Sequence, residues 1–294
     1  MKKISILLML LCISFGVNAQ ILWKISGKGL SKPSYVIGTH HLAPVSIVES
    51  VADFKQVLNA VEQVYGELVM DEMNSPANMQ KMQRAIVMPN DTTLNVLLNQ
   101  AQYDSVAVVV KQLMGVDLKM MNQVKPAFLT SQLAVILAMK SVKGFNPQQQ
   151  LDGWIQNEAK KQGKKICGLE TMDMQMDILF NSQTLKRQAE QLYATVTHMA
   201  ESAEMAKKMT DAYMEQNLEL LGDAMHTKLG NDCDALPEEE DVLIYNRNEN
   251  WVKLMPAIMK GNQTLFAVGA GHLIGKRGVL NLLKKQGYTV SPVK

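Results

Sequence analysis

The sequence predicts an α/β protein: one mixed central sheet flanked by helices, with a helical insertion. Three observations predict it. Short apolar runs bounded by turn residues alternate with longer stretches whose apolar residues recur every three or four positions. The first two runs flank Gly27-Lys28-Gly29 as the arms of a hairpin, so the sheet is mixed. Four of the runs end on an ionisable side chain, as strands do when their C-terminal edge carries a site.

The chain opens with Lys2 and Lys3, an apolar stretch over residues 4–17, and Val17-Asn18-Ala19 before Gln20. That is the grammar of a secretory leader, cut after Ala19. The stretch is shorter than the roughly 20 apolar residues of a membrane span. Residues 1–19 are therefore expected to be removed, leaving 20–294 as a single exported domain, periplasmic in a bacterium. No Pro/Gly/Ser-rich linker and no repeat of solenoid length divides it.

Strands are expected at 21–25, 34–37, 61–68, 165–169, 264–268 and 288–293. Helices are expected at 46–60, 94–114, 127–142, 151–162, 238–260 and 277–286, with a long helical region over 172–221. Gly163 and Gly287 stand just past two of these helices, where glycine ends them.

Loss of Lys2 and Lys3 leaves as many basic as acidic residues. Such a chain has no electrostatic footprint for nucleic acid or an anionic membrane. No later stretch is apolar enough for stable membrane insertion. The sequence holds 21 methionines, many at helical spacing over 172–225 and scattered over many faces, which reads as packing and not as a copper cluster. Cys167 and Cys233 follow the leader; an oxidising compartment permits a disulfide between them without requiring one.

The chemistry gathers at the strand ends. Ser34-Tyr35-Val36-Ile37 runs into Gly38-Thr39-His40-His41. Val64-Tyr65-Gly66 runs into Glu67, and Ile166-Cys167-Gly168-Leu169 into Glu170. Leu265-Phe266-Ala267-Val268 runs into Gly269-Ala270-Gly271-His272. Glycine lets the chain leave a strand with positive φ, or lets another group come close. Two Gly-x-x-His elements with two glutamates form a set of imidazole and carboxylate groups suited to zinc, iron, manganese or cobalt.

Other readings compete residue by residue. Glu170 precedes a helix start and could serve that terminus. Arg247 could pair with a glutamate on an exposed helix. Asp152 reads as a helix-start residue, and His198 and His226 as solvated. Glu238-Glu239-Glu240-Asp241 follows Pro237 and reads as helix capping. No serine elbow, P-loop or dinucleotide fingerprint is present.

Several segments carry a resemblance. They are Leu22-Trp23-Lys24-Ile25 with Ser34 through His41; Leu151-Asp152 with Glu158-Ala159-Lys160 and Gly163-Lys164; Gly168-Leu169-Glu170-Thr171 with Gln175; and Arg247-Asn248 with Trp251. Phe266 through Leu273, Gly278 and Gln286-Gly287-Tyr288 complete the set. In order and spacing the chain resembles TraB/GumN (Tiki-like) proteins over nearly all of residues 20–294. The resemblance implies a fold shared with Tiki and erythromycin-esterase-like proteins. It also implies metal-dependent hydrolysis, with peptides as substrates and a divalent ion (Mn, Co or Zn). It casts His41, Glu67 and His272 as metal ligands, Glu67 also as a catalytic base, Arg247 as an oxyanion or carboxylate holder, and Glu170 as pocket wall. The doublet His40-His41 departs from the simple motif. Alternation along an extended chain sends the two rings to opposite faces, and motif spacing selects His41. Two function classes follow: a hydrolase of peptides or small molecules, and a non-catalytic module sequestering a peptide or small apolar ligand in the same cleft.

Overall fold

The computed structural model describes residues 20–294; the leader expected over residues 1–19 lies outside the described residues. Six strands form one sheet: β1 (Leu22–Ser26), β2 (Ser34–Thr39), β3 (Gln63–Gly66), β4 (Lys165–Gly168), β5 (Thr264–Gly269) and β6 (Thr289–Pro292), in spatial order β4-β3-β5-β2-β1-β6. β2, β5, β3 and β4 run parallel, and β1 is antiparallel to both β2 and β6. The sheet is mixed, as the hairpin predicts. All four ionisable strand ends therefore leave from one edge.

Alternation sorts the central strands between two helical layers. Ile37, Val64, Leu265 and Ala267 pack with Phe54, Leu58, Leu151 and Ile155, from the helices Phe54–Ala60 and Leu151–Lys161. Val36, Phe266 and Val268 pack the opposite way, with Trp251, Met255, Val279 and Leu283 from the helices Asn246–Gly261 and Val279–Lys285. Burial on both faces explains why β5 reads as a continuous apolar run. The insertion has its own core: Val106, Leu129 and Leu192 join the helices Gln100–Met114, Pro126–Ser141 and Leu185–Thr197.

Several long helices expected from periodicity are broken. The region 172–221 is four helices: Met172–Asn181, Leu185–Thr197, Met199–Met214 and Leu218–Met225. Thr184 and Asn217 start new ones by accepting backbone N–H groups, which periodicity does not register. The stretch 94–114 breaks at Asn99, whose capping box with Gln102 opens Gln100–Met114. In 46–60, Asp53 takes a left-handed conformation, separating the 3-10 turn Val45–Glu49 from Phe54–Ala60. A helix at Pro76–Ala85 has no counterpart among the expected elements, although Ser75 before Pro76 is a start signal. No disulfide joins the cysteines: Cys167 stands on β4, and Cys233 lies against the Thr195 hydroxyl. Among the described residues no helix is long and apolar enough to cross a membrane.

Candidate active site

The two Gly-x-x-His turns touch each other. A Cβ on Gly38 would lie 3.0 Å from both Cα and Cβ of Ala270, so the bare glycine lets the first turn rest against the second. Neither Gly38 nor Gly269 has a positive φ. Close approach is the reason for these glycines.

Arg247 lies at the centre, one residue into the helix Asn246–Gly261 and directly after a π-helical turn, Asp241–Tyr245. Its guanidinium uses every N–H it has. Nε donates to Glu170 Oε1 at 2.8 Å, and Nη2 to Glu170 Oε2 at 2.8 Å and Glu67 Oε2 at 2.5 Å. Nη1 donates to the Leu243 carbonyl and to His272 Nε2, each at 3.1 Å. Gln175 bridges the two carboxylates, donating to Glu67 Oε2 at 3.2 Å and Glu170 Oε2 at 3.0 Å. Trp251 Nε1 donates to Glu170 Oε1 at 2.9 Å, while its ring lies 4.4 Å from the His272 ring and 4.9 Å from the Arg247 guanidinium.

These contacts fix charge states. Burial pushes the Glu67 carboxyl up, but His272, Arg247 and the Gly269 N–H (2.8 Å from Oε1) outweigh it and hold its pKa at about 2. His272 is buried; desolvation brings its pKa down to about 4 against the pull of Glu67, with Arg247 and His41 adding to the fall. It is neutral at pH 7. Because Arg247 donates to Nε2, the proton sits on Nδ1 and is donated to Asn248 Oδ1 at 2.7 Å.

His41 is prepared in the opposite way. Its Nδ1 lies 3.0 Å from Asp152 Oδ2, an ion pair off the ideal hydrogen-bond line that leaves this buried oxygen no other partner. Asp152 Oδ1 is held by the Thr39 hydroxyl at 2.7 Å. The Asp152 charge, against the cost of burial and with help from Glu67, raises the His41 pKa to about 9. The side chain is 59 % exposed, so solvent screens the pair and keeps its stabilisation small.

His40 turns away. Thr210 spends its hydroxyl proton on the Ala206 carbonyl, so His40 Nε2 donates to Thr210 Oγ1 at 3.0 Å, beside the Tyr213 ring. Glu170 does not cap the following helix; Thr171 does, and Glu170 pairs with Arg247. Asp152 stands in the first turn of Leu151–Lys161, but its carboxylate faces His41 and not its own helix. His198 pairs at 3.7 Å with Glu201 on the insertion, and exposed His226 lies 3.4 Å from the Tyr245 hydroxyl; neither contacts His41, Glu67, Arg247 or His272. Glu239 does cap its own helix start, and also binds Arg187. Asp152, Asn248, Trp251 and Gln175 were given no site role by motif reading. One signal was available for Trp251, which follows Arg247 by four positions and so shares its helix face.

The donor chemistry of His41, Glu67 and His272 fits a divalent ion. Each imidazole has Nδ1 tied to an oxygen, Asp152 or Asn248, so Nε2 is the nitrogen a metal would take, at His272 in place of Arg247, and Glu67 is ionised. They are not gathered as a ready cage. Arg247 contacts both His272 and Glu67, and among the described residues no group of three His, Cys, Asp or Glu is arranged to hold a metal.

A sheet edge armed by two Gly-x-x-His turns, a glutamate and an arginine defines a class of α/β proteins with a site at the parallel strand ends. The chain belongs to the TraB/PrgY/gumN family, which it matches over residues 21–292. It is similar to the metalloprotease TIKI2 of Danio rerio, 23 % identical over 92 % of this chain and 60 % of that protein. It is also similar to a metalloprotease TIKI homolog of Amphimedon queenslandica, 42 % identical over 52 residues, which cover 17 % of this chain and 10 % of that protein. The chain thus spans less than two thirds of the curated relatives it matches. No solved structure matches it.

Proposed function

We propose that this chain is an exported, periplasmic hydrolase that cleaves a peptide-like carbonyl at the edge built by His41, Glu67, Arg247 and His272. One observation carries the reading: two imidazoles from separate strand ends, each with Nδ1 anchored on an oxygen, meet an ionised glutamate and a guanidinium. In the metal-dependent form, His41, Glu67 and His272 would hold a divalent ion (Mn, Co or Zn), which when bound supplies an acidified water and polarises the carbonyl. Asp152 and Asn248 orient the two rings. Arg247 lies beside these donors with all five N–H groups engaged, so its positive charge, and not a free donor, would steady the negative charge that develops on the substrate oxygen. Trp251 and Glu170 keep the guanidinium in place. The relatives named metalloproteases support this form.

A second form is favoured by the contact between Arg247 and His272 and by the Asp152–His41 pair. Here neutral His272, once Arg247 yields its Nε2 to the attacking water, takes that water's proton, and protonated His41 gives one to the leaving amine. Two groups whose surroundings separate their pKa values suit those opposite roles. Elemental analysis of purified protein, before and after chelation, separates the forms. Bound metal lost in His41→Ala and His272→Ala supports the first. Metal-free protein that cleaves peptides supports the second. Protein that binds peptides without cleaving them would replace both with the sequestering module.

A further inference from the structure

Two adjoining hollows lie where the helical insertion meets the site. The first, about 310 Å³, is walled by Met205, Met209, Met225, Leu229 and Ile274. The second, about 380 Å³, is walled by Ala134, Leu137, Ile178, Leu179 and Ala206. Cys233, Ala235 and Leu243 line both and form the partition.

The first hollow reaches the reacting groups through three of its residues. Gly271 immediately precedes His272, and a Cβ there would lie 2.6 Å from Cε of Met225. Leu243 gives its carbonyl to Arg247 Nη1, and the backbone of Ile244 lies against His272. An occupant of this hollow is therefore held beside the Arg247–His272 pair. The acidic groups of the walls are already taken. Lys228 pairs with Glu240 at 3.2 Å, and Arg187 holds Glu239 at 2.9 Å. Asp234 accepts from the N–H groups of Leu229 and Gly230, and the hydroxyls of Thr130, Ser131, Ser182 and Thr195 are spent on carbonyls of their own helices. His226 and Tyr245 in the first hollow and Gln183 and Gln191 in the second stand among methyl, methylene and thioether groups. Unbranched methionines adapt to occupants of differing shape.

We infer that the double hollow is a recognition cleft for two apolar side chains of an extended peptide, at alternate positions on one side of the bond to be cut. In an extended chain, residues two apart point the same way, about 6.6 Å from each other, an arrangement that suits two compartments sharing one wall. The insertion then selects the substrate while the sheet edge cuts it. This rests on the hydrolase reading and adds its substrate class.

The test is binding, so that it does not depend on turnover. Glu67→Gln, isosteric but uncharged, serves as the receptor. It is titrated calorimetrically with a hexapeptide carrying leucine at two alternate positions, and with the same peptide carrying serine there. The leucine peptide should bind at least roughly tenfold tighter, the surplus of burying two such side chains over the cost of ordering them. Met205→Glu, in the first hollow, and Leu179→Glu, in the second, should each remove most of that preference. Both positions are partly open to solvent, so the folded state tolerates them. Should Glu67→Gln not fold, wild-type protein with the same peptides carrying N-methylated bonds replaces it. Equal affinity for the two peptides, or a preference that survives both glutamate substitutions, overturns the cleft. Leucine-selective binding without cleavage by wild-type protein leaves the cleft standing and removes the hydrolase reading. Cleavage indifferent to leucine does the reverse.

Discussion

The two Gly-x-x-His turns share a spacing, a strand-end position and a common contact through Gly38, yet they prepare their histidines in opposite ways. At the first, His41 is mostly exposed beside a carboxylate and its pKa rises to about 9. At the second, His272 is buried against an amide and a guanidinium, and its pKa falls to about 4. The difference teaches that the motif sets where a ring goes, while its charge is set by other elements. Asp152 comes from the helix Leu151–Lys161, and Asn248 and Arg247 from Asn246–Gly261.

The largest effect should come from removing the charge that ties the second turn to the two glutamates. Arg247→Ala leaves Glu67 and Glu170 buried without a counter-ion, which costs about 3–5 kcal/mol. The urea midpoint measures it, and a loss below about 1 kcal/mol would mean that Arg247 is not the hub. Arg247→Lys should restore only part of the loss, because a point charge cannot serve both carboxylates as a fork does.

Exchanging the partners of the two rings comes next. Asn248→Asp gives the second turn the carboxylate of the first, and the His272 pKa should climb from about 4 to above its ordinary 6.5. Asp152→Asn should lower His41 from about 9 toward 6.5. Both are read from imidazole proton shifts against pH; two unchanged titrations would break the comparison.

A smaller effect is the pH dependence of stability. His272 binds its proton less readily folded than unfolded, so stability is lost as pH falls from 6.5 toward 4. His40, also held at about 4 by burial, adds in the same direction. Glu67 contributes stability above 4.5 that is lost as pH falls toward 2. His41 has the opposite sign: its contribution is full below 6.5 and fades as pH rises to 9, weakly because the pair is exposed. Urea midpoints at pH 7 and pH 4.5 should therefore differ, with less difference in His272→Gln. A profile flat over that interval would contradict the burial of His272. The smallest effect is His198→Ala, expected within about 0.5 kcal/mol of wild type because the side chain is solvated and paired only with nearby Glu201.

The strands and the edge they arm were legible because buried parallel strands are apolar throughout and end abruptly at Gly38, Gly66, Gly168 and Gly269. The mixed hairpin was legible from Gly27-Lys28-Gly29. The helix breaks at Thr184 and Asn217 were not, since a cap interrupts a helix without interrupting its apolar period. The partners of the rings were not legible either. Asp152 lies 111 positions from His41 (152 minus 41) and doubles as a helix-start residue, so its local setting masks its distant contact. Asn248 and Trp251 sat next to Arg247 in view, but which face of their helix meets β5 is decided by packing on Phe266 and Val268.

The central claim is that this edge cuts peptides. Wild-type protein and Glu67→Gln, both checked for fold by circular dichroism, are incubated with a mixed peptide library and with added Mn, Co or Zn, and products are counted by mass spectrometry. The account predicts that wild type yields defined products and that Glu67→Gln is slower by roughly a hundredfold or more, the loss typical of removing a group that organises transition-state charge. A folded Glu67→Gln that keeps wild-type turnover, or a wild type inert under every metal condition, would contradict it.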